Sequence, residues 1–127
     1  MTELSKQDKE DLNTLQALYK MFVLGDILVF VLGVPLVQAA QIVNAGGGPE
    51  ARKPILILVI AFLYGVMWSV LHAKGYKTIQ KLKSRSYVST VNFLTMICLT
   101  PIHSALAIWC YTILRRENIK TAFDQSS

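Results

Sequence analysis

At 127 residues the chain has room for one domain, and 53% of its residues are hydrophobic against 17% charged. Residues 1–20 and 115–127 flank the apolar stretches and are too short to bury a core of their own, which leaves no room for a separate catalytic domain. Thirteen Lys/Arg against eight Asp/Glu give a net charge of +5, but no aromatic or glycine interleaving accompanies the lysines, so the charge does not point to nucleic acid.

Residues 7–20 carry Leu12, Leu15, Leu18 and Tyr19 at helical spacing, an amphipathic lead-in predicted to run into a first membrane span over residues 20–43. Its apolar part, Met21–Val37, approaches the ~20 residues that a helix needs to cross a bilayer. The apolar residues run on without period-2 alternation, and in lipid an unbroken apolar run is a helix. Val37-Gln38-Ala39 resembles a small-x-small cleavage site, but the preceding region is long and contains Glu3, Asp8, Glu10 and Asp11, so a retained span is expected. Pro35 is expected to kink this helix. Asp26 lies six residues in, roughly 9 Å deep at helical rise. An ionisable residue there is a site candidate, as a structural hydrogen-bonding acid, as a proton- or ion-linked group, or as a contact with a partner subunit.

Residues 44–49, with Gly46, Gly47 and Gly48, predict a turn. A second span follows over residues 54–73, opened by Pro54. Along it Ala61, Gly65, Ser69 and Ala73 recur every fourth residue, a small-residue stripe for close helix packing within the chain or between subunits; Gly25 and Gly33 form a weaker version on the first span. His72 closes the second span. An Asp26–His72 pair is allowed by the expected depths.

Residues 74–86 hold Lys74, Lys77, Lys81, Lys83 and Arg85 with no acid among them, a topology determinant for the cytoplasmic, anionic-lipid side. Residues 87–114 are apolar again and broken at Thr100-Pro101, which reads as an N-cap and a first-turn proline. One reading is a single kinked span; the other is a hairpin of two short halves. The hairpin keeps 11 Lys/Arg inside and 2 outside, against 8 and 5 for the single span. Cys98 and Cys110 are 12 residues apart, about 18 Å on one helix, too far for a disulfide.

His72 and His103 raise the possibility of a haem, but both expected topologies place them at different depths within one subunit. No phosphate loop, zinc-spaced ligand set or nucleophile–base pair is present, so no catalytic residue, metal site or cofactor is expected. The run Pro101-Ile102-His103-Ser104-Ala105-Leu106-Ala107-Ile108-Trp109, then Tyr111-Thr112-Ile113-Leu114 and the closing Lys120-Thr121-Ala122-Phe123, resembles a loose group of small bacterial membrane proteins of uncharacterised function. His103 and Ala107 stand where that group has glycines. The resemblance implies a bundle of three or four helices in the bacterial inner membrane and no known activity.

The expected fold is therefore an all-α integral membrane bundle of three apolar segments, the third broken at Thr100-Pro101, with a polar tail over residues 115–127. The expected function is non-enzymatic: a small multi-pass protein with a cytoplasmic N-terminus. It would act through helix packing, as an accessory subunit among other membrane subunits or as a homo-oligomer, with lipids around it. A channel or transporter using Asp26, with Asn92, Thr95, Thr100, His103 and Ser104 along the third stretch, is the alternative; a haem-bearing electron-transfer subunit is the weaker one.

Overall fold

A reciprocal cap opens the first helix of the computed structural model, which describes residues 4–126. Ser5 Oγ accepts the Asp8 N–H at 3.1 Å while the Ser5 N–H donates to Asp8 Oδ2 at 3.0 Å, which satisfies two backbone donors at the helix start. From there α1 (Lys6–Asp26) passes directly into a π-helical segment (Ile27–Gly33) and then α2 (Val34–Asn44). The π segment is the local answer to Pro35, which offers no N–H and whose ring crowds the carbonyl four residues back. The Val34 N–H reaches five residues back, to the Val29 carbonyl. The expected effect of Pro35 thus takes the form of a widened helical turn.

Gly46 and Gly47 turn the chain in left-handed conformations, with φ of 63° and 76°. A short 3-10 turn (Pro49–Ala51) leads into α3 (Arg52–Gln80), which therefore starts two residues before Pro54. Pro54 sits in the first turn, where backbone N–H groups have no acceptor inside the helix. The α3 helix continues through Lys74 and Lys77, so only residues 81–84 of the basic linker are non-helical.

The third apolar stretch is a hairpin. Between α4 (Arg85–Cys98) and α5 (Pro101–Leu114), Leu99 and Thr100 are extended. The arms are stitched antiparallel: Asn92 Nδ2 donates to the Ala107 carbonyl at 2.9 Å, Ser104 Oγ to Met96 at 2.8 Å and Arg85 to Leu114 at 2.8 Å. Each arm has 14 residues, about 21 Å at helical rise, against a hydrocarbon core of ~30 Å. Among the described residues two helical runs, Lys6–Asn44 and Pro49–Gln80, are long and apolar enough to cross a membrane. Residues 115–127, expected as a polar tail, instead contain α6 (Glu117–Ser126). No strand is present among the described residues.

By its internal contacts the chain divides into two compact units. The unit formed by residues 23–70 is a pair of helices joined by the glycine turn. The rings of Phe30 and Tyr64 meet edge-on at 5.2 Å, and Tyr64 lies 6.1 Å from Trp68. The other unit combines residues up to Phe22 with those from Leu71 on. Its core takes Leu15, Tyr19 and Phe22 from α1, Ile79 from α3, Val88 from α4, Ile113 from α5, and Ile119 and Phe123 from α6, all at least 98% buried. The amphipathic face of the lead-in is thus covered by α4, α5 and α6 of the same chain.

Candidate functional site

Phe22, His72, Thr95 and His103 form the most distinctive buried polar cluster, inside the unit built from the two chain ends. The Phe22 ring meets both imidazoles, 4.9 Å from His72 and 5.9 Å from His103, nearly parallel to the latter at 18°. Tyr19 meets the His72 ring edge-on at 6.0 Å. Thr95 Oγ1 donates its one proton to the Val91 carbonyl at 2.7 Å. It therefore accepts from His72 Nε2, 2.8 Å away, which places a proton on Nε2. At the hairpin tip Thr100 caps α5: its Oγ1 accepts the His103 N–H at 3.4 Å and pairs with His103 Nδ1 at 2.7 Å. Asn92 is 1% exposed, and its Oδ1 is a buried acceptor with no hydrogen-bond partner among the described residues.

The two histidines were expected at different depths, and here the structure differs. Both touch Phe22, because arms of 14 residues return the hairpin tip beside the first helix before it can reach a far face. Iron ligation by the pair would still require His72 Nε2 to leave Thr95 and His103 Nδ1 to leave Thr100, or the use of His103 Nε2. Among the described residues no three His, Cys, Asp or Glu side chains gather around a point where a metal could sit.

Asp26 is 0% exposed and occupies the last α-helical position before the π segment, in the unit of residues 23–70. Gly65 is the buried member of the small-residue stripe. A Cβ there would stand 2.6 Å from Phe30 Cβ and 3.2 Å from the Phe30 backbone, so this part of the stripe serves packing within the chain. Ala61, Ser69 and Ala73 are partly covered. Lys74, Lys77, Lys81 and Lys83 are exposed, the Lys74 ammonium lying 4.8 Å over the Tyr87 ring. Arg85 departs from this cluster: it is partly buried and bonded to Leu114.

Sequence reasoning missed Gly75 and the clasp made by α6. At Gly75 a Cβ would meet Tyr19 Cε1 at 2.5 Å, and the Tyr19 hydroxyl donates to the Val88 carbonyl at 3.0 Å. The α6 clasp joins Arg116 to Asp11 at 2.5 Å and Asn118 to Asp8, over the buried Ile119, Ala122 and Phe123. The signal for it was present, since residues 119, 122 and 123 follow the i, i+3, i+4 spacing of a helix face.

The clasp has a defined pH response. Hydrogen bonds from Asn118 and Ser5 hold the Asp8 carboxyl below its ordinary value, and the Lys120 bond and charge do the same for Glu117. A carboxyl lowered in the fold adds stability above its unfolded pKa and loses it as pH falls through the folded one. Amide-exchange protection of residues 117–125 is expected to hold steady from neutral pH down to roughly pH 4–5 and to decline below it. Asp8→Asn should flatten that decline; an unchanged profile would remove Asp8 from the clasp.

Compared with known proteins, the chain matches no family model, no curated protein and no solved structure.

Proposed function

We propose that this is a non-enzymatic integral membrane protein that crosses the bilayer twice through residues 23–70 and acts through helix packing, as an accessory subunit of a membrane complex or as a homo-oligomer. The observation that carries this reading is the inverted surface of that unit. Leu28, Leu36, Leu56, Ile60, Leu63 and Val70 are each 57–68% exposed, while Asp26, Gly65 and Trp68 are buried. Water does not tolerate an apolar surface of that extent, and lipid requires it. The short hairpin of residues 87–114 then belongs to the same side as both chain ends. That arrangement leaves 11 Lys/Arg on the cytoplasmic side and Arg52 and Lys53 on the other. A retained first helix fits as well, since cleavage after Ala39 would remove Leu12, Leu15, Leu18, Tyr19 and Phe22 from the core they help to build.

Single cysteines at Ser84 and Gly47, in a chain lacking Cys98 and Cys110, test the topology. Ser84 should react only from the cytoplasmic side and Gly47 only from outside. Reaction of Ser84 from outside intact cells would invert the assignment, and reaction of both from one side would end the two-span reading. Mild-detergent extraction then identifies what co-purifies.

A second reading, proton- or ion-linked transport, draws on one observation: a fully buried carboxyl at the start of a π segment, a helix irregularity that recurs at functional sites. Asp26→Asn separates the two. A structural acid tolerates the amide with assembly and function intact, whereas a titrating one loses proton-coupled flux in proteoliposomes with assembly unchanged. We expect the structural outcome.

A further inference from the structure

We infer that the outer face of the α4–α5 hairpin inserts into one leaflet of an anionic membrane, with the cleft beside Arg115 seated on a lipid headgroup. This rests on the membrane reading of residues 23–70 and goes beyond it, because that reading assigns no ligand to the hairpin. Between Arg85 and Arg115 the sequence has no Asp, Glu, Lys or Arg. The inward residues complete the core, yet Phe93, Ile97, Ile102, Ile108 and Trp109 stay 52–73% exposed on the outward side. Several polar groups along the arms are used internally. Thr95 bonds to Val91, Thr100 caps His103, Ser104 bonds to Met96 and Thr112 to Trp109, as a helix in hydrocarbon requires.

Cations collect at the open end of the hairpin. Tyr111, Thr112, Arg115 and Arg116 line a cleft of about 350 Å³ with no acid in its wall. The Arg115 guanidinium lies 5.4 Å over the Tyr111 ring and pairs with no carboxylate among the described residues, while Arg116 is held by Asp11. An apolar face with Trp and Tyr near a cationic collar is the composition of an interfacial membrane element. A protein-binding face would be poorer in lysine than the adjoining Lys81 and Lys83 make this one. Arms of ~21 Å are too short to cross, so insertion is from one side only.

The test uses the full chain in nanodiscs with Trp68→Phe, which leaves Trp109 as the one indole. Lipids brominated on their acyl chains should quench Trp109 roughly twofold in phosphatidylglycerol and clearly less in phosphatidylcholine, with little effect of aqueous iodide. Arg115→Glu should erase the difference between the two lipids. Quenching by iodide but not by brominated lipid overturns the inference. So does shielding from both with cross-linking through Ile102→Cys, which would mean that a protein covers the face. Equal quenching in the two lipids overturns the headgroup assignment. A tryptophan at the exposed Leu63, in a chain lacking Trp68 and Trp109, is the control: if lipid fails to quench it, the membrane reading itself falls. Should Trp68→Phe prevent folding, a nitroxide on Ile102→Cys in a Cys98→Ser chain gives the same answer. It should be accessible to oxygen and protected from a water-soluble nickel relaxer.

Discussion

Gly65→Leu is expected to abolish recovery of monodisperse protein in detergent, while Leu58→Ala purifies nearly as wild type. The reason is geometric. A Cβ at residue 65 would stand 2.6 Å from Phe30 Cβ, 3.0 Å from Val31 Cγ2 and 3.2 Å from the Phe30 carbonyl carbon. Phe30 cannot withdraw its Cβ without moving the helix that carries it, and that helix already departs from α geometry between Ile27 and Gly33. Even Gly65→Ala should cost stability, although alanine is favoured over glycine in a helix by about 1 kcal/mol. Overpacking at about 1–3 kcal/mol outweighs that gain, and leucine raises the cost further. Thermal unfolding by circular dichroism in detergent gives the order wild type, Ala, Leu. An alanine variant more stable than wild type would show that the two helices separate there without penalty.

Gly75→Ala is expected to be the most damaging single-methyl change in the unit built from the chain ends, at about 1–3 kcal/mol. The new methyl would lie 2.5 Å from Tyr19 Cε1 and 2.9 Å from Cδ1. Tyr19 has nowhere to go: it is 0% exposed, its hydroxyl is tied to Val88, and Phe22 and His72 press on its ring. Tyr19→Leu alone should also destabilise, by removing the hydroxyl bond and ring contacts. Combined with Gly75→Ala, it should cost less than the sum of the two single changes, since leucine leaves the methyl room. Strict additivity would mean that residues 19 and 75 do not press on each other.

The all-helical character was legible because long apolar runs without period-2 alternation admit no other structure in lipid. So were the break at Thr100-Pro101, where an N-cap and a first-turn proline coincide, and the stripe at Gly65. The meaning of the third apolar stretch was harder to read. Val88, Val91, Ala107, Cys110 and Ile113 are apolar because they are buried in the same core as Leu12, Leu15 and Leu18, while Phe93, Ile97 and Ile108 are apolar on the uncovered side. A helix apolar all round has the same composition whichever of these applies, so sequence alone could not separate span from core. His72 and His103 were separated by the same difficulty: their depth depends on how far the hairpin reaches, and arm length is a tertiary outcome. Gly75 carried no signal, since nothing local marks which glycine will face a tyrosine 56 positions earlier.

The pairing of Asp8 with Asn118 and of Asp11 with Arg116 has a consequence for how the protein is made. A ribosome releases residues 23–70 well before it has synthesised the helix that closes over α1. Leu12, Leu15, Leu18 and Tyr19 must therefore wait, uncovered, until residues 88–123 arrive. Contacts between residues so distant in the chain are slow to form and leave adhesive surface open in the meantime. The lead-in helix is thus the segment most in need of a chaperone during synthesis, and a ribosome stalled before residue 117 would hold a chain whose apolar helices are complete but whose chain-end core cannot close.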